Sequence, residues 1–195
     1  MIKCRNCKSH NLIKVIFIGK QVVSGIFPKT KLKNSIKYSL DLYECKKCKL
    51  VQLGKSIPLG NMYGETYGYR SSLSKLMVNH LKAKFLKLKK ILKFKSKSNI
   101  LDIGSSDSTF LNFFSNEKRN YSCFGIDPSA KKYSKYYNKD VNLIVDYFSA
   151  KSVNSMLNSI NQKNKKFKLI SSFAMFYDID DPNSFCKDIR SLLEK

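Results

Sequence analysis

Long apolar runs are missing from this chain. The longest, such as Val15–Gly19 and Ile170–Tyr177, are far too short to cross a bilayer. Proline is scarce, with four in 195 residues, and 43% of the residues are hydrophobic. That length and content can bury a real core, which excludes general disorder. No apolar stretch follows Met1-Ile2-Lys3-Cys4, so the expected compartment is the cytoplasm, with no membrane partner. Internal repeats are absent too. Acidic residues are few: 14 Asp+Glu stand against 37 Lys+Arg, for a net charge of +23. A basic excess of this size suits nucleic acid, anionic lipid or a phosphorylated substrate. The excess is almost all Lys, however, beside abundant Asn, Ile, Ser, Tyr and Phe. An AT-rich genome supplies that palette for any solvated surface, so charge alone selects no partner.

Six Cys are present, and in a reducing compartment they do not read as a disulfide framework. Cys4-Arg5-Asn6-Cys7 and Cys45-Lys46-Lys47-Cys48 form two Cys-x-x-Cys knuckles. Two such knuckles supply the four soft ligands that a tetrahedral structural Zn²⁺ takes. With every coordination place filled by protein, such a site braces the fold and does not catalyse. An Fe–S cluster or two separate redox pairs are the alternatives. Cys123 and Cys186 lie in apolar contexts and read as core residues, and His10 and His80 are not needed as ligands.

Texture changes twice along the chain. Residues 1–57 are strand-like, with Leu12–Gly19 and Leu40–Tyr43 as apolar or alternating runs, and form the expected zinc-binding module. Residues 58–98 begin as a Gly/Tyr-rich loop and continue into an amphipathic linker helix. In that helix, from about Leu73 to Phe94, Leu73, Met77, Leu81, Phe85, Leu88 and Leu92 share one stripe. The eight Lys between Lys82 and Lys97 line its flank. They suit solvent, and a membrane surface or nucleic acid as second readings. Residues 99–195 alternate short apolar runs with helical stretches; Asn99–Ile103, Ser122–Ile126, Leu143–Val145 and Phe167–Ser171 are the predicted strands. That order predicts an α/β fold with a parallel, Rossmann-like sheet.

The stretch from Asn99 to Leu111 is the leading ligand-binding candidate. An apolar strand ends at Asp102–Gly104, a loop of small residues follows, and a helix opens near Thr109. Gly104 lets a ligand approach the backbone, and a helix N-terminus offers free N–H groups. Asp127 closes the second strand, 25 residues after Asp102, where an acid can grip ribose hydroxyls. Asp146-Tyr147-Phe148 closes a third, with an acceptor beside aromatic surface suited to an adenine ring. The loop has no full G-x-G-x-x-G, so by itself it also fits an ordinary α/β turn.

These pieces together resemble the S-adenosylmethionine-dependent C-methyltransferases of sugar biosynthesis, in which an N-terminal zinc-binding module precedes a class I methyltransferase domain. The resemblance is carried by the Cys4/Cys7 knuckle, Gly25-Ile-Phe-Pro28 and Cys45-Lys-Lys-Cys-Lys-Leu-Val-Gln-Leu53. It continues through Met62-Tyr-Gly-Glu-Thr-Tyr-Gly-Tyr-Arg-Ser-Ser72, Leu101-Asp-Ile-Gly104, Gly125-Ile-Asp-Pro128 and Asp180-Asp-Pro182. It implies that Asp102, Gly104, Ser105, Asp127, Asp146 and Phe148 hold S-adenosylmethionine. It further implies that Tyr67 and Tyr69 line the active site, where a phenol can stabilise an enolate. The expected substrate is a small molecule, a nucleotide-linked keto sugar.

Two departures stand out. Asp178 occupies the place of a His common in related sugar enzymes, which makes it a candidate catalytic residue. The family's Glu-His pair would follow Lys195, so the chain reads as the first half of a family member. It is then expected to self-associate or to need a complementing C-terminal chain, with apolar surface around Phe173, Met175 and Phe176 left open. The rival reading is a non-catalytic zinc-ribbon protein contacting nucleic acid or another anionic partner through the Lys-rich helix. Carboxylates at three strand ends would repel a polyanion, so a nucleic acid partner is not expected.

Overall fold

The computed structural model describes residues 2–23, 30, 36–64 and 67–194. The Gly25–Pro28 motif, Glu65 and Thr66 of the Tyr/Gly element, and Lys195 lie outside the described residues. The chain divides into two compact units, Met1–Gly68 with Tyr177–Phe185, and Tyr69–Phe176 with Cys186–Lys195. The sequence boundaries at 57 and 98 follow composition, whereas this division follows contacts and returns 177–185 to the first unit.

In the first unit, β1 (Leu12–Val22), β2 (Lys37–Cys45) and β3 (Val51–Leu53) form an antiparallel sheet in the order β1-β2-β3. The register sets Leu12 against Cys45 and Leu42 against Leu53, so the end of β2 is locked beside the second knuckle. Irregularities between Lys14 and Ile16 and between Phe17 and Lys20 break the pairing of β1. Gly19, at φ +81°, sits in the second of them, a conformation that glycine adopts without steric cost. A short helix, α1 (Leu59–Met62), follows the sheet.

In the second unit, β4 (Asn99–Ile103), β5 (Ser122–Ile126), β6 (Val141–Ile144) and β7 (Leu169–Ser172) are all parallel, in the order β6-β5-β4-β7. Every residue of β4 is buried, as expected of a central strand covered on both faces. The chain runs outward from β4 to β6 and then crosses to β7 on the other side of β4. That reversal makes the carboxyl ends of β4 and β7 a topological switch point, where open α/β sheets bind ligands.

The helices are α2 (Lys75–Leu92), α3 (Thr109–Ser115), α4 (Ala150–Ser159) and α5 (Pro182–Leu192). Helix α2 starts two residues later than its apolar stripe predicts. Ser74 caps it by accepting from the Met77 N–H at 3.3 Å, and this leaves Leu73 in a preceding 3₁₀ turn, exposed. Lys93 ends it in the left-handed conformation and turns Phe94 back into the core. That core joins Leu81 and Phe85 of α2 to Ile100, Phe110, Leu111, Phe114, Tyr121 and Cys123. Phe114 is its hub, meeting Phe85, Phe94, Phe110 and Tyr121 edge-on at centroid separations of 4.7 to 5.7 Å. Cys123 is buried as expected, and burial pushes its thiol up to about 12. Cys186, expected in the core, is instead exposed on α5. The apolar neighbours that suggested burial fall on another face of the helix, where Phe185 and Leu192 are buried.

Candidate functional site

The two knuckles fold alike because they share a backbone pattern. The N–H of Cys4 donates to the Ser9 carbonyl, and that of Cys45 to the Leu50 carbonyl, both at 2.9 Å. Lys8 and Lys49, each four residues after the first Cys, close the turn by donating to its carbonyl, and both adopt positive φ. This brings together all four cysteines that the spacing singles out: their sulfurs lie within 4.8 Å of one another, with Cys4–Cys48 and Cys7–Cys45 at 3.5 Å. Zinc–thiolate bonds of ~2.3 Å place the corners of a tetrahedron about 3.8 Å apart, so the cluster matches a zinc site. A backbone N–H at the Cys48 sulfur draws that thiol down to about 6, which favours the thiolate a metal needs. His10 and His80 are exposed and take no part.

In the second unit, the loop between β4 and α3 is coiled by three positive-φ residues, Gly104, Ser106 and Ser108, at +73°, +51° and +64°. Asp127, at the end of β5, holds this coil: its carboxylate accepts from the Ser106 N–H at 2.9 Å, and from the N–H and hydroxyl of Ser129 at 2.7 Å each. Ser105 is buried, and its hydroxyl pairs with that of Tyr137 at 2.7 Å. The Tyr137 hydroxyl also lies 3.0 Å from the Ser106 carbonyl, to which it donates. Asp102 is buried below the loop and accepts from the Ser171 hydroxyl of β7 at 2.6 Å. Burial pushes its carboxyl up to about 7, aided by the Asp127 charge and opposed by the Ser171 hydrogen bond. Among the described residues, the hydroxyls of Ser106 and Ser172 are buried with no hydrogen-bond partner, one in the loop after β4 and the other at the end of β7. Such orphans are rare in proteins; Asp41, Asn99, Tyr121 and Gln162 carry others elsewhere, and these two sit at the switch point.

Asp107 is a site residue that sequence reasoning passed over. Its side chain is wholly buried; it accepts from the Ser72 N–H at 3.0 Å and the Thr109 hydroxyl at 2.6 Å, and lies 3.7 Å from the Arg70 guanidinium. Burial would raise its pKa, but these hydrogen bonds outweigh burial and hold it below the usual carboxylate range. Arg70 in turn stacks over the Tyr136 ring at 4.5 Å. The Asp107-x-Thr109 spacing at a helix start was the available signal for the turn. Nothing in the sequence pointed to Arg70 as its ion partner.

The remaining expected residues belong partly to each unit. Asp146 is exposed and accepts from the Tyr147 N–H and the Ser152 hydroxyl, both at 2.7 Å, at the entry to α4. Phe148 is half-buried. Tyr69 is 38% exposed in the second unit, while Tyr67 belongs to the first, edge-on to Tyr63 at 5.1 Å. Asp178 also belongs to the first unit and accepts a hydrogen bond from the Tyr63 hydroxyl. Burial pushes its carboxyl up, against that hydrogen bond and the Arg5 charge. Tyr63 is thus a second residue that the sequence left without a role.

A family model of a zinc binding domain matches residues 4–63, and one of a methyltransferase domain matches residues 77–195. The second match covers well over half of the chain, which therefore belongs to the methyltransferase domain family. No curated protein matches it. Among solved structures, it is similar to the plantazolicin methyltransferase BpumL in complex with a pentazolic desmethylPZN analog and SAH. That match has 19% identity and a TM-score of 0.47, over 64% of this chain and 46% of that one. The related BamL complex with a triazolic analog and SAH gives 18% identity and a TM-score of 0.42, over 63% and 47%. YjhP from E. coli gives 14% and 0.39, over 58% and 45%. The chain spans less than half the length of these relatives.

Proposed function

We propose that this chain is the cofactor-binding and zinc-binding portion of an S-adenosylmethionine-dependent C-methyltransferase whose substrate is a nucleotide-linked keto sugar. One observation carries the cofactor reading. At the carboxyl ends of β4, β5 and β7 stand a positive-φ glycine, an acid and two buried hydroxyls without partners among the described residues, all at a switch point. These residues fit the cofactor: Asp127 to accept from ribose hydroxyls, Gly104 to admit it against the backbone, and the Ser106 and Ser172 hydroxyls to meet its polar atoms. When bound, S-adenosylmethionine supplies an electrophilic methyl group. Asp102, Ser105 and Tyr137 keep the loop in shape from beneath. The sugar reading rests on the zinc knuckles followed by the Tyr67-x-Tyr69-x-Ser71-Ser72 element. Tyr69 is assigned the phenol that would stabilise an enolate, and Asp178 a proton-accepting role held by Tyr63. A complementing C-terminal segment or chain would supply the principal base, and the cytoplasm is the proposed compartment.

Titration calorimetry of the chain with SAH tests the cofactor reading, with one site per chain expected. No SAH binding, together with DNA binding that falls steeply with salt, would support the zinc-ribbon reading in its place. Transfer of a radiolabelled methyl group to a panel of nucleotide-linked keto sugars, with the complementing segment present, tests the substrate class.

A further inference from the structure

We infer that Arg70 is the residue that recognises the carboxylate of the cofactor's amino-acid end; this rests on the cofactor reading above. Arg70 stands at the loop that would hold the cofactor, 3.7 Å from Asp107 and over the face of Tyr136. The Arg70, Asp107 and Asp127 charges all act on Tyr133, so the four groups share one neighbourhood. Asp107 does not need Arg70 for its hydrogen bonds, because the Ser72 and Thr109 groups already supply them. Among the described residues, both the ion pair of Arg70 and its hydrogen bond to the Ser72 hydroxyl run through Nη1. Nη2 and Nε are therefore left to a ligand, and the side chain of Arg70 is a quarter exposed. A planar guanidinium fixed by stacking on an aromatic ring is pre-organised for a carboxylate.

Electrostatics sharpen the case. S-adenosylmethionine carries one anionic group, the carboxylate of its amino-acid tail. Asp107 in the loop after β4 and Asp127 at the end of β5 repel that carboxylate unless a cation meets it, and Arg70 is a cation already seated beside Asp107. The unpartnered Ser106 hydroxyl, one residue from Asp107, adds a neutral donor in the same loop. Arg70 thus separates ligands that carry the amino-acid tail from those that share only the nucleoside.

The experiment measures the affinities of SAH and of 5′-methylthioadenosine, which lacks the tail, for wild type, Arg70→Gln and Arg70→Lys. In Arg70→Gln, SAH should weaken by roughly 10- to 100-fold while 5′-methylthioadenosine is unchanged. Arg70→Lys, which keeps a cation beside Asp107 but loses the planar fork, should fall between the two. Unchanged 5′-methylthioadenosine binding also reports that the loop has kept its shape. Equal weakening of both ligands would make Arg70 a brace for Asp107 only and overturn the assignment, as would unaltered SAH affinity. If wild type binds 5′-methylthioadenosine but not SAH, the tail has no site and Arg70 no such role. If wild type binds neither ligand, the cofactor reading itself fails and takes this one with it.

Discussion

The Asp127 carboxylate, at the carboxyl end of β5, takes a 2.9 Å hydrogen bond from the Ser106 N–H in the loop after β4. With two further hydrogen bonds from Ser129, it fills most of the roughly four acceptor positions of a carboxylate. The acid expected to grip a ribose therefore also shapes the loop beside it.

Those two duties are separable by substitution. Asp127→Asn removes the charge and keeps one of the two accepting oxygens, while its amide nitrogen meets the N–H of Ser106 or of Ser129, so SAH affinity should drop roughly tenfold and the melting temperature should fall less than in Asp127→Ala. Asp127→Ala leaves the Ser106 and Ser129 N–H groups without their acceptor and should cost an additional ~1–3 kcal/mol of stability. Calorimetry and thermal melts of both variants provide the check. An Asn variant with wild-type affinity would leave Asp127 a loop brace alone.

The zinc site predicts one zinc per chain by elemental analysis. Cys45 is fully buried and the second knuckle turns on its backbone, so Cys45→Ser should release the metal and loosen β1–β3. Limited proteolysis of metal-loaded and variant protein should show new cleavage confined to the first unit. Iron with visible absorption, or no metal at all, would refute this assignment.

The sequence disclosed what depends on short-range pattern. Strands 99–103 and 122–126 were legible to the residue, because each is a short, mostly apolar segment followed directly by Gly104 or Asp127. The cysteine cluster was equally legible, since each knuckle's geometry is local and only the pairing of knuckles is not. Contacts across long separations were hidden. Asp178 meets Tyr63 from 115 positions away, and Asp107 meets the Ser72 N–H from 35. No periodicity encodes such a meeting; it exists only once segments distant in sequence have been placed within each unit. The shared duty of Asp127 was hidden for a related reason: a carboxylate at a strand end looks the same in sequence whether it faces a ligand or a backbone N–H.

Asp102 gives a pH dependence whose sign is fixed by burial. Its carboxyl titrates at about 7 in the folded chain, above the ordinary unfolded value. The folded state therefore keeps a proton that the unfolded state has already released between roughly pH 4 and 7, and stability falls as pH rises through that window. Asp102→Asn mimics the protonated form and can still pair with Ser171. Its stability relative to wild type should rise by a few kcal/mol from about pH 4 to about pH 7 and then level off. Urea unfolding of the pair across that range measures the difference; parallel curves would show that Asp102 ionises freely in the folded state.

Self-association is expected at a surface the sequence did not single out. Of the residues named for open apolar surface, Phe173 packs against Phe110 at 4.7 Å, and Phe176 is 48% exposed. The broader apolar surface is β1, where Ile13, Val15, Ile16, Phe17, Ile18 and Val22 are all exposed, Phe17 by 64%. Among the described residues, β1 is also an edge of its sheet, with backbone groups unpaired along one side. An exposed apolar edge is a template for pairing with another strand, and Lys14 and Lys20 are the charges on β1 that oppose it. Paired copies would bring those lysines together, so association should strengthen as salt screens them. Light scattering should accordingly show a larger mean mass at high salt than at low salt. Ile16→Lys with Ile18→Lys should return the chain to a monomer without lowering its zinc content. Substituting Phe176 by Lys should have the smaller effect; if it alone abolishes association, the contact surface lies beyond β7 and not on β1.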